Sequence, residues 1–285
     1  MTVADRSEWA VPPAGMVTSV LYPAGVGAVT DGWARRGSSF GAAAAAYAEH
    51  RPDYPPDAVR WCVAPLGRDL TGLRVLDLGA GTGKLTALLA RLGADVTAVE
   101  PDAAMLAELR SRLPSVRAVG APAEAIPLAD GSVDAVLCAQ SLHWFDLSRA
   151  VPEIARVLTA GGVLGALWNS DDDRVPWVAG LRAAAEGAAA PTVSTRRAEA
   201  ALFSADQFGE MFGPAERAEF PNAQPRTADS LVALMATHSQ VLVMPSAERA
   251  RLLGQVGRYL ASRPETAAGE FEVPMVTSVL RAVRR

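Results

Sequence analysis

The sequence has only two cysteines and three histidines among its 285 residues. Cys62 and Cys138 cannot build a disulfide framework, and we expect both to be small, buried side chains. The histidines are His50, His143 and His238, and their separation matches no metal-ligand spacing. We therefore expect a protein that holds no metal ion.

We also expect no signal peptide, no membrane-spanning run and no basic stripe. The opening stretch MTVADRSEWAVPPAG carries acids and prolines instead of a basic start and an apolar core. No run of about 20 apolar residues follows. The formal net charge is −4, and arginines are intermixed with acidic residues along the chain, so we expect no nucleic-acid partner. These absences predict a cytoplasmic protein that does not contact a membrane.

What the sequence does have is a regular alternation of short apolar runs and helical stretches from about residue 73 to residue 169. Half of all residues are apolar, which is enough for one well-filled core. Five segments are typical of strands: LRVLDLG, ADVTAVE, VRAVGA, VDAVLCAQ and VLGALWN. Three segments are typical of helices: KLTALLARLG, DAAMLAELRSRLP and LSRAVPEIARVLTAGG. Alternation of this kind predicts a doubly wound α/β domain with a mostly parallel sheet.

The flanking segments differ in character from this core. Residues 1–39 are rich in proline and glycine, have no clear period, and are interpreted as an N-terminal extension to a domain spanning 40–285. Residues 40–66 predict two helices, and about 170–263 is mostly helical with a possible strand at RAEFP. Together these two helical regions predict a cap over the active-site edge of the sheet. The segment around Phe271–Arg284 predicts a closing strand.

The stretch RVLDLGAGTGKLT, Arg74 to Thr86, indicates a backbone that closely approaches a nucleotide-like ligand. A phosphate-binding P-loop would need glycine where this chain has Leu78, and a hydroxyl where it has Leu85. The ATP interpretation therefore fails.

A dinucleotide fingerprint also fits this stretch poorly. It requires a third glycine where the chain has Lys84, whereas the glycines here are Gly79, Gly81 and Gly83. Asp77, two positions before them, suits a cationic or hydroxyl-rich ligand better than a pyrophosphate. An NAD-dependent oxidoreductase is disfavoured by this spacing but stays open as an alternative.

VLDLGAGTGKLT resembles the first motif of the class I S-adenosylmethionine-dependent methyltransferases. Their following segments are similar to three further stretches of this chain, AVEPD, GAPAEAIPLADGSVDAVLCAQSLHWFD and ARVLTAGGVLGALWN. YAEHRPDYP, LHWFD and LWNSDDDRVPW are further similar to a subgroup that includes trans-aconitate methyltransferase and acts on small molecules, notably carboxylates. The resemblance implies a Rossmann-like fold with seven strands, the last antiparallel, and a helical cap. It also implies S-adenosylmethionine as cofactor and S-adenosylhomocysteine as product.

The resemblance assigns a set of cofactor-binding residues. Arg51 would grip the methionine carboxylate, Glu100 would accept from the ribose hydroxyls, and Ala123 with Glu124 would lie beside the adenine. Many family members carry aspartate just before that pair, where this chain has Pro122. The complete cofactor set is Tyr47, Arg51, Asp77, Gly79, Ala80, Gly81, Glu100, Pro101, Ala123, Glu124 and Gln140.

Four residues are candidates for the acceptor side. His143 is the one plausible catalytic base, since an ordinary histidine pKa is about 6.5, although it could instead line the pocket. Trp144 and Phe145 are expected either to wall the sulfonium or to be core residues, and His238 lies in the cap. The predicted function is methyl transfer to a small molecule, with oxygen favoured over nitrogen or carbon, in specialised metabolism. A cofactor-binding protein without transfer is a further alternative, and a monomer or homodimer is expected.

Overall fold

The computed structural model of the chain describes residues 51–186 and 208–285. The N-terminal extension, the first helix expected from residue 40, and Tyr47 lie outside the described residues. Among the described helices, none is long and apolar enough to span a bilayer.

Seven strands occur in the described residues, and helices separate each consecutive pair except the third and fourth. The strands are β1 Arg74–Leu78, β2 Asp95–Val99, β3 Arg117–Val119, β4 Val133–Ala139, β5 Leu158–Asp171, β6 Glu216–Arg226 and β7 Phe271–Val283. The α-helices are α1 Pro56–Val63, α2 Lys84–Arg91, α3 Ala103–Arg112, α4 Leu147–Val157, α5 Pro176–Glu186, α6 Ala228–Ala236, α7 Ser239–Leu242 and α8 Ser246–Ala261. Short 3-10 turns are found at Ala64–Leu66, Leu142–Trp144 and Gly209–Met211.

The strands form one sheet in the order β3-β2-β1-β4-β5-β7-β6. Strands β1 to β5 pair in parallel, whereas β7 is antiparallel to both of its neighbours, β5 and β6. Strand β6 therefore runs in the same direction as β1 to β5. This arrangement confirms the predicted α/β fold with a mostly parallel, seven-stranded sheet and a reversed last strand.

Two apolar clusters cover the two faces of the sheet. Helices α1 and α2 contribute to one cluster and α4 contributes to the other. The expectation that both cysteines are buried is confirmed, because Cys62 lies in the first cluster and Cys138 in the second, and both are free thiols. The helix from residue 56 thus packs on the sheet as α1 and is part of its covering layer.

A third apolar cluster belongs to the region expected as a cap. Helices α5, α6 and α8 bury residues against one another and against the start of β7. The region is not purely helical, since β6 spans 11 residues and is longer than the RAEFP segment at which a strand was expected. Its pairing with β7 explains the length, because every residue of β6 is paired.

The helix expected to close at the glycines of LTAGG is shorter than the sequence pattern predicts. Helix α4 ends at Val157, and β5 begins at Leu158. Leu158 pairs with Val133 while Val163 pairs with Ala135, so the register shifts across Gly161 and Gly162. Glycines within a strand commonly mark such an irregularity.

Candidate functional site

The carboxyl ends of β1, β2, β4, β5 and β6 lie along one edge of the sheet, which is where open α/β sheets bind ligands. At the end of β1, Gly79, Gly81 and Gly83 all have positive φ, at +71°, +57° and +87°. Gly79 and Ala80 donate backbone hydrogen bonds to the carbonyl of Val99 at 2.8 and 3.1 Å, which ties the turn to β2. Apart from Gly81 and its two chain neighbours, no heavy atom of residues 51–186 or 208–285 lies within 4 Å of the point that a Cβ on Gly81 would occupy. The turn therefore leaves an open space directly above Gly81.

Gly79 is required for a different reason. A Cβ at this position would come within 2.6 Å of the Ser141 Cβ and 3.2 Å of the Phe145 ring. Ser141 is held there because its hydroxyl donates to the Leu78 carbonyl at 2.7 Å. Phe145, expected near the methyl-transfer pocket, thus packs against the glycine turn. Ser141 was missed from the sequence because a serine after a strand carries no signal of its own.

Glu100 lies at the end of β2 beside Gly81 and is buried. Its Oε2 accepts from the Gly81 N–H and its Oε1 from the Asp102 N–H, both at 2.8 Å. Burial raises the pKa of this carboxyl, and the two backbone donors oppose that rise. A carboxylate has about four lone-pair positions, so each oxygen can still accept a further hydroxyl donor.

Asp77 lies beneath the turn and is fully buried. Its Oδ2 accepts from the Thr86 hydroxyl of α2 at 2.5 Å, and its Oδ1 makes no hydrogen bond within the described residues. Burial raises the pKa of Asp77 to about 7, the Thr86 hydroxyl lowers it, and Glu100 adds to the rise. Asp77 thus fastens strand β1 to helix α2, and its direct contact with a cofactor stays a prediction.

The residue after β4 has a strained backbone. Gln140 has φ of +55°, which is uncommon for a residue with a side chain. Its N–H donates to the Leu167 carbonyl and its side-chain Nε2 donates to the Asn169 carbonyl, both at 2.9 Å. Strain that is held by hydrogen bonds on both sides is a mark of functional sites. Gln140 thereby joins the ends of β4 and β5 at the predicted cofactor edge.

His143 lies in the 3-10 turn that follows, with its ring centroid 4.8 Å from that of Trp144. The Trp168 indole Nε1–H donates to His143 Nδ1 at 3.2 Å. Because an indole nitrogen only donates, Nδ1 is the acceptor and the neutral ring carries its proton on Nε2. Burial lowers the pKa of His143 to about 4. In this arrangement the ring carries its donor on Nε2, and both roles predicted from the sequence, catalytic base and pocket lining, stay predictions.

Arg51 lies between the sheet edge and the cap. Its Nη2 donates to the Thr237 carbonyl at 3.4 Å, next to His238. Its charge lowers the pKa of Asp171 at the end of β5, while burial acts more strongly and raises that pKa to about 6. Asp171 belongs to the SDDDR run, which resembles a solvated turn in sequence. Its inward position was missed because acids at the end of a strand and in a turn look alike.

The pair expected beside the adenine has a clear structural role. Ala123 is buried in the apolar cluster around α4, and Glu124 Oε1 accepts from the Asp146 N–H at 2.8 Å. This bond anchors the loop that carries Trp144 and Phe145. Pro101, after Glu100, is exposed. A direct adenine contact by Ala123 or Glu124 remains a prediction.

Comparison with known proteins places the chain in a family. Residues 76–166 match the family model described as a methyltransferase domain. An uncharacterized methyltransferase of Mycobacterium tuberculosis is 41% identical over 245 residues, which cover 86% of this chain and 95% of the relative. A malonyl-[acyl-carrier protein] O-methyltransferase of Methylococcus capsulatus is 37% identical over 143 residues, covering 45% of this chain and 49% of that protein.

Among solved structures, a candidate Type II methyltransferase from Anaeromyxobacter dehalogenans superposes with a TM-score of 0.59. It is 25% identical, and the match covers 82% of this chain and 97% of that one. The family match and the M. tuberculosis relative show that the chain is a methyltransferase. The chain belongs to the class I S-adenosylmethionine-dependent methyltransferases.

The residues present fit the cofactor that this family uses. The open space above Gly81 would be filled by a Cβ, and the buried Glu100 carboxylate beside it can accept from paired hydroxyls. Within residues 51–186 and 208–285, no three His, Cys, Asp or Glu side chains come together as a metal site.

Proposed function

We propose that this chain transfers a methyl group from S-adenosylmethionine to an oxygen of a small-molecule acceptor. The observation that carries the proposal is the juxtaposition of the open Gly81 turn and the buried Glu100 carboxylate, 2.8 Å from the Gly81 N–H to Oε2. A ribose offers two hydroxyls to such a carboxylate, and the positive-φ glycines let the backbone approach the ligand closely. The proposed cofactor set is completed by Tyr47, Arg51, Asp77, Gly79, Ala80, Pro101, Ala123, Glu124 and Gln140.

The bound cofactor would supply an activated methyl group on a sulfonium. The protein's task is then alignment of the acceptor and exclusion of water, and alignment alone can offset about 7–11 kcal/mol of barrier. Phe145, packed on Gly79, places an aromatic ring at this edge of the sheet. Aromatic faces favour a neighbouring positive charge.

The protonation state of His143 supports an acceptor that arrives already ionised. A ring with its proton on Nε2 and a pKa of about 4 is a poor base at neutral pH but a good hydrogen-bond donor. A carboxylate needs no base and can accept a hydrogen bond on the oxygen that is not methylated. The M. capsulatus relative is likewise named as an O-methyltransferase. We therefore propose a small carboxylate as the acceptor class.

The wider setting follows from the same proposal. Trp144 and His238 would line the acceptor pocket between the sheet edge and the cap. We propose a cytoplasmic enzyme of specialised metabolism that acts as a monomer or homodimer, with no partner beyond its substrates.

The test uses S-adenosylmethionine carrying a deuterated methyl group and a panel of small carboxylates, phenols and amines at pH 7.5. Mass spectrometry reports the label on the acceptor together with formation of S-adenosylhomocysteine. Labelled methyl esters support the proposal. Labelled phenols or amines alone would overturn the acceptor class. Cofactor binding without label transfer to any acceptor would favour a binding protein.

A further inference from the structure

Two side-chain amides from two different strands converge on one backbone carbonyl, that of Asp53, and a hydroxyl from a third strand supports them. The side-chain amide Nδ2 of Asn169 in β5 donates to it at 3.1 Å, and that of Asn222 in β6 donates at 2.9 Å. Thr277 in β7 donates its hydroxyl to Asn169 Oδ1 at 2.6 Å, which fixes the amide orientation of Asn169. Asn222 Nδ2 also lies 3.2 Å from Asn169 Oδ1.

The side chain of Asp53 reaches in another direction, toward the glycine turn. Its Oδ1 lies 3.1 Å from Nζ of Lys84, the first residue of α2. Lys84 is the only lysine in the chain. Asp53 is therefore held by the sheet through its main chain and by the start of α2 through its carboxylate. We call Asp53, Lys84, Asn169, Asn222 and Thr277 the Asp53 clamp.

We propose that the Asp53 clamp positions Arg51, two residues earlier, for the amino-acid carboxylate of the cofactor. This inference rests on the proposed function, and it assigns a positioning role to five side chains outside the predicted cofactor set. Asn169 links the clamp to that set directly, because its main-chain carbonyl accepts from the Gln140 side chain. One network thereby connects the strained residue after β4 with the segment that carries Arg51.

The clamp is more specific than anchoring the segment would require. Tyr54 is already buried in the apolar cluster with α1, so apolar packing alone attaches this segment to the sheet. Asn169 and Thr277 are buried polar residues, and burying such groups is costly unless their hydrogen bonds are made. What a satisfied network adds to apolar packing is direction, because hydrogen bonds fix orientation as well as distance.

Two pairs of variants test the clamp with little risk to folding. Thr277→Val removes the hydroxyl with little change of shape, whereas Thr277→Ser keeps the hydroxyl. Lys84→Met and Asp53→Asn break the same ion pair but remove opposite charges. The Asp53 carboxylate is exposed, so this ion pair contributes little to stability. The matched control is Glu216→Gln, which breaks a comparable ion pair between Glu216 at the start of β6 and Arg281 in β7.

Calorimetric titration with two probes separates positioning from general damage. S-adenosylhomocysteine carries the amino-acid end, whereas methylthioadenosine has the same nucleoside and lacks that end. We expect Thr277→Val, Lys84→Met and Asp53→Asn each to weaken the binding of S-adenosylhomocysteine by about tenfold, because each disturbs a charge-assisted contact with its carboxylate. Methylthioadenosine should bind all three as it binds the wild type, and Thr277→Ser and Glu216→Gln should leave both affinities unchanged.

Three outcomes would overturn the proposal. Equal weakening of both probes would make the clamp a general structural feature, and unchanged affinities would remove it. Opposite effects of Lys84→Met and Asp53→Asn would indicate a long-range charge effect instead of positioning. Wild-type protein that binds neither probe would refute the proposed function itself, so the two failures are distinguishable.

Discussion

Trp168 donates its indole N–H to Nδ1 of His143 across 3.2 Å, joining β5 near its carboxyl end to the turn after β4. The bond leaves the imidazole proton on Nε2, and it occupies the nitrogen that a catalytic base would need for accepting a proton. With this bond in place the histidine can donate from Nε2, and its role as a base stays a prediction that can be tested. Its consequences can be measured without knowing the acceptor.

We predict that His143 stays neutral, with its proton on Nε2, at every pH from 5.5 to 8. Burial lowers its pKa to about 4, so no histidine titration should appear near 6.5. Nitrogen-15 NMR of the imidazole resonances reads both the tautomer and the pKa. Trp168→Phe should raise the pKa, because it removes a bond made only to the neutral ring. A wild-type His143 that titrates near 6.5 would restore the base role.

The same shift predicts an acid-sensitive stability. The folded pKa of about 4 lies below the unfolded value of 6.5, so the unfolded chain binds the proton first as pH falls. The contribution of His143 is fully present above pH 6.5 and is lost progressively from pH 6.5 to pH 4. Urea unfolding of wild type and His143→Asn over this range checks the sign. A stability difference that grows toward low pH in favour of the wild type would contradict it.

The bond between Thr86 and Asp77 predicts a pH-dependent loss of stability. Thr86→Val removes the donor to a buried carboxyl, and we expect a loss of about 1–3 kcal/mol in the free energy of unfolding at pH 8. At pH 5 the carboxyl is protonated in the folded state, since burial raises its pKa to about 7, and the loss should be smaller. Thr86→Ser keeps the hydroxyl and serves as the control. A loss that is equal at both pH values would show that Asp77 titrates normally.

Gly81 and Gly67 allow a matched test of the proposed cofactor contact at the glycine turn. Both have positive φ, at +57° and +66°, and a Cβ at either position would meet no described residue within 4 Å other than its chain neighbours. Alanine at either position should therefore cost a similar amount of stability, about 1–2 kcal/mol, from backbone strain. Only Gly81→Ala should also abolish binding of S-adenosylhomocysteine by calorimetry. If both variants bind it like the wild type, the space above Gly81 does not hold the cofactor.

The sequence predicted the sheet well because its strands are continuous apolar runs that end at the glycines and acids of the site. The glycine spacing and Glu100 were recognisable since each occupies a strand end. The pairing of Trp168 with His143 was not, because it depends on the directions of two side chains 25 positions apart. In the Asp53 clamp, the bonds from Asn169 to Asp53, from Asn222 to Asp53 and from Thr277 to Asn169 each join residues more than 100 positions apart, and only the sheet order brings them together.

The end of α4 is a prediction from the sequence that was made and was wrong. The glycines of LTAGG predicted where a helix stops, but Leu158 already pairs with Val133 in the sheet. Strand pairing won over the local helical pattern, and the glycines instead permit the register shift within β5. A local sequence signal was correct about an irregularity and wrong about which element contains it.

Titration of the wild-type protein with S-adenosylmethionine, S-adenosylhomocysteine and NADH in parallel calorimetry tests the central claim most directly. The account predicts micromolar binding of the first two compounds, strong weakening by Glu100→Ala, and no binding of NADH. Binding of NADH alone, or binding of S-adenosylhomocysteine that Glu100→Ala leaves unchanged, would contradict it.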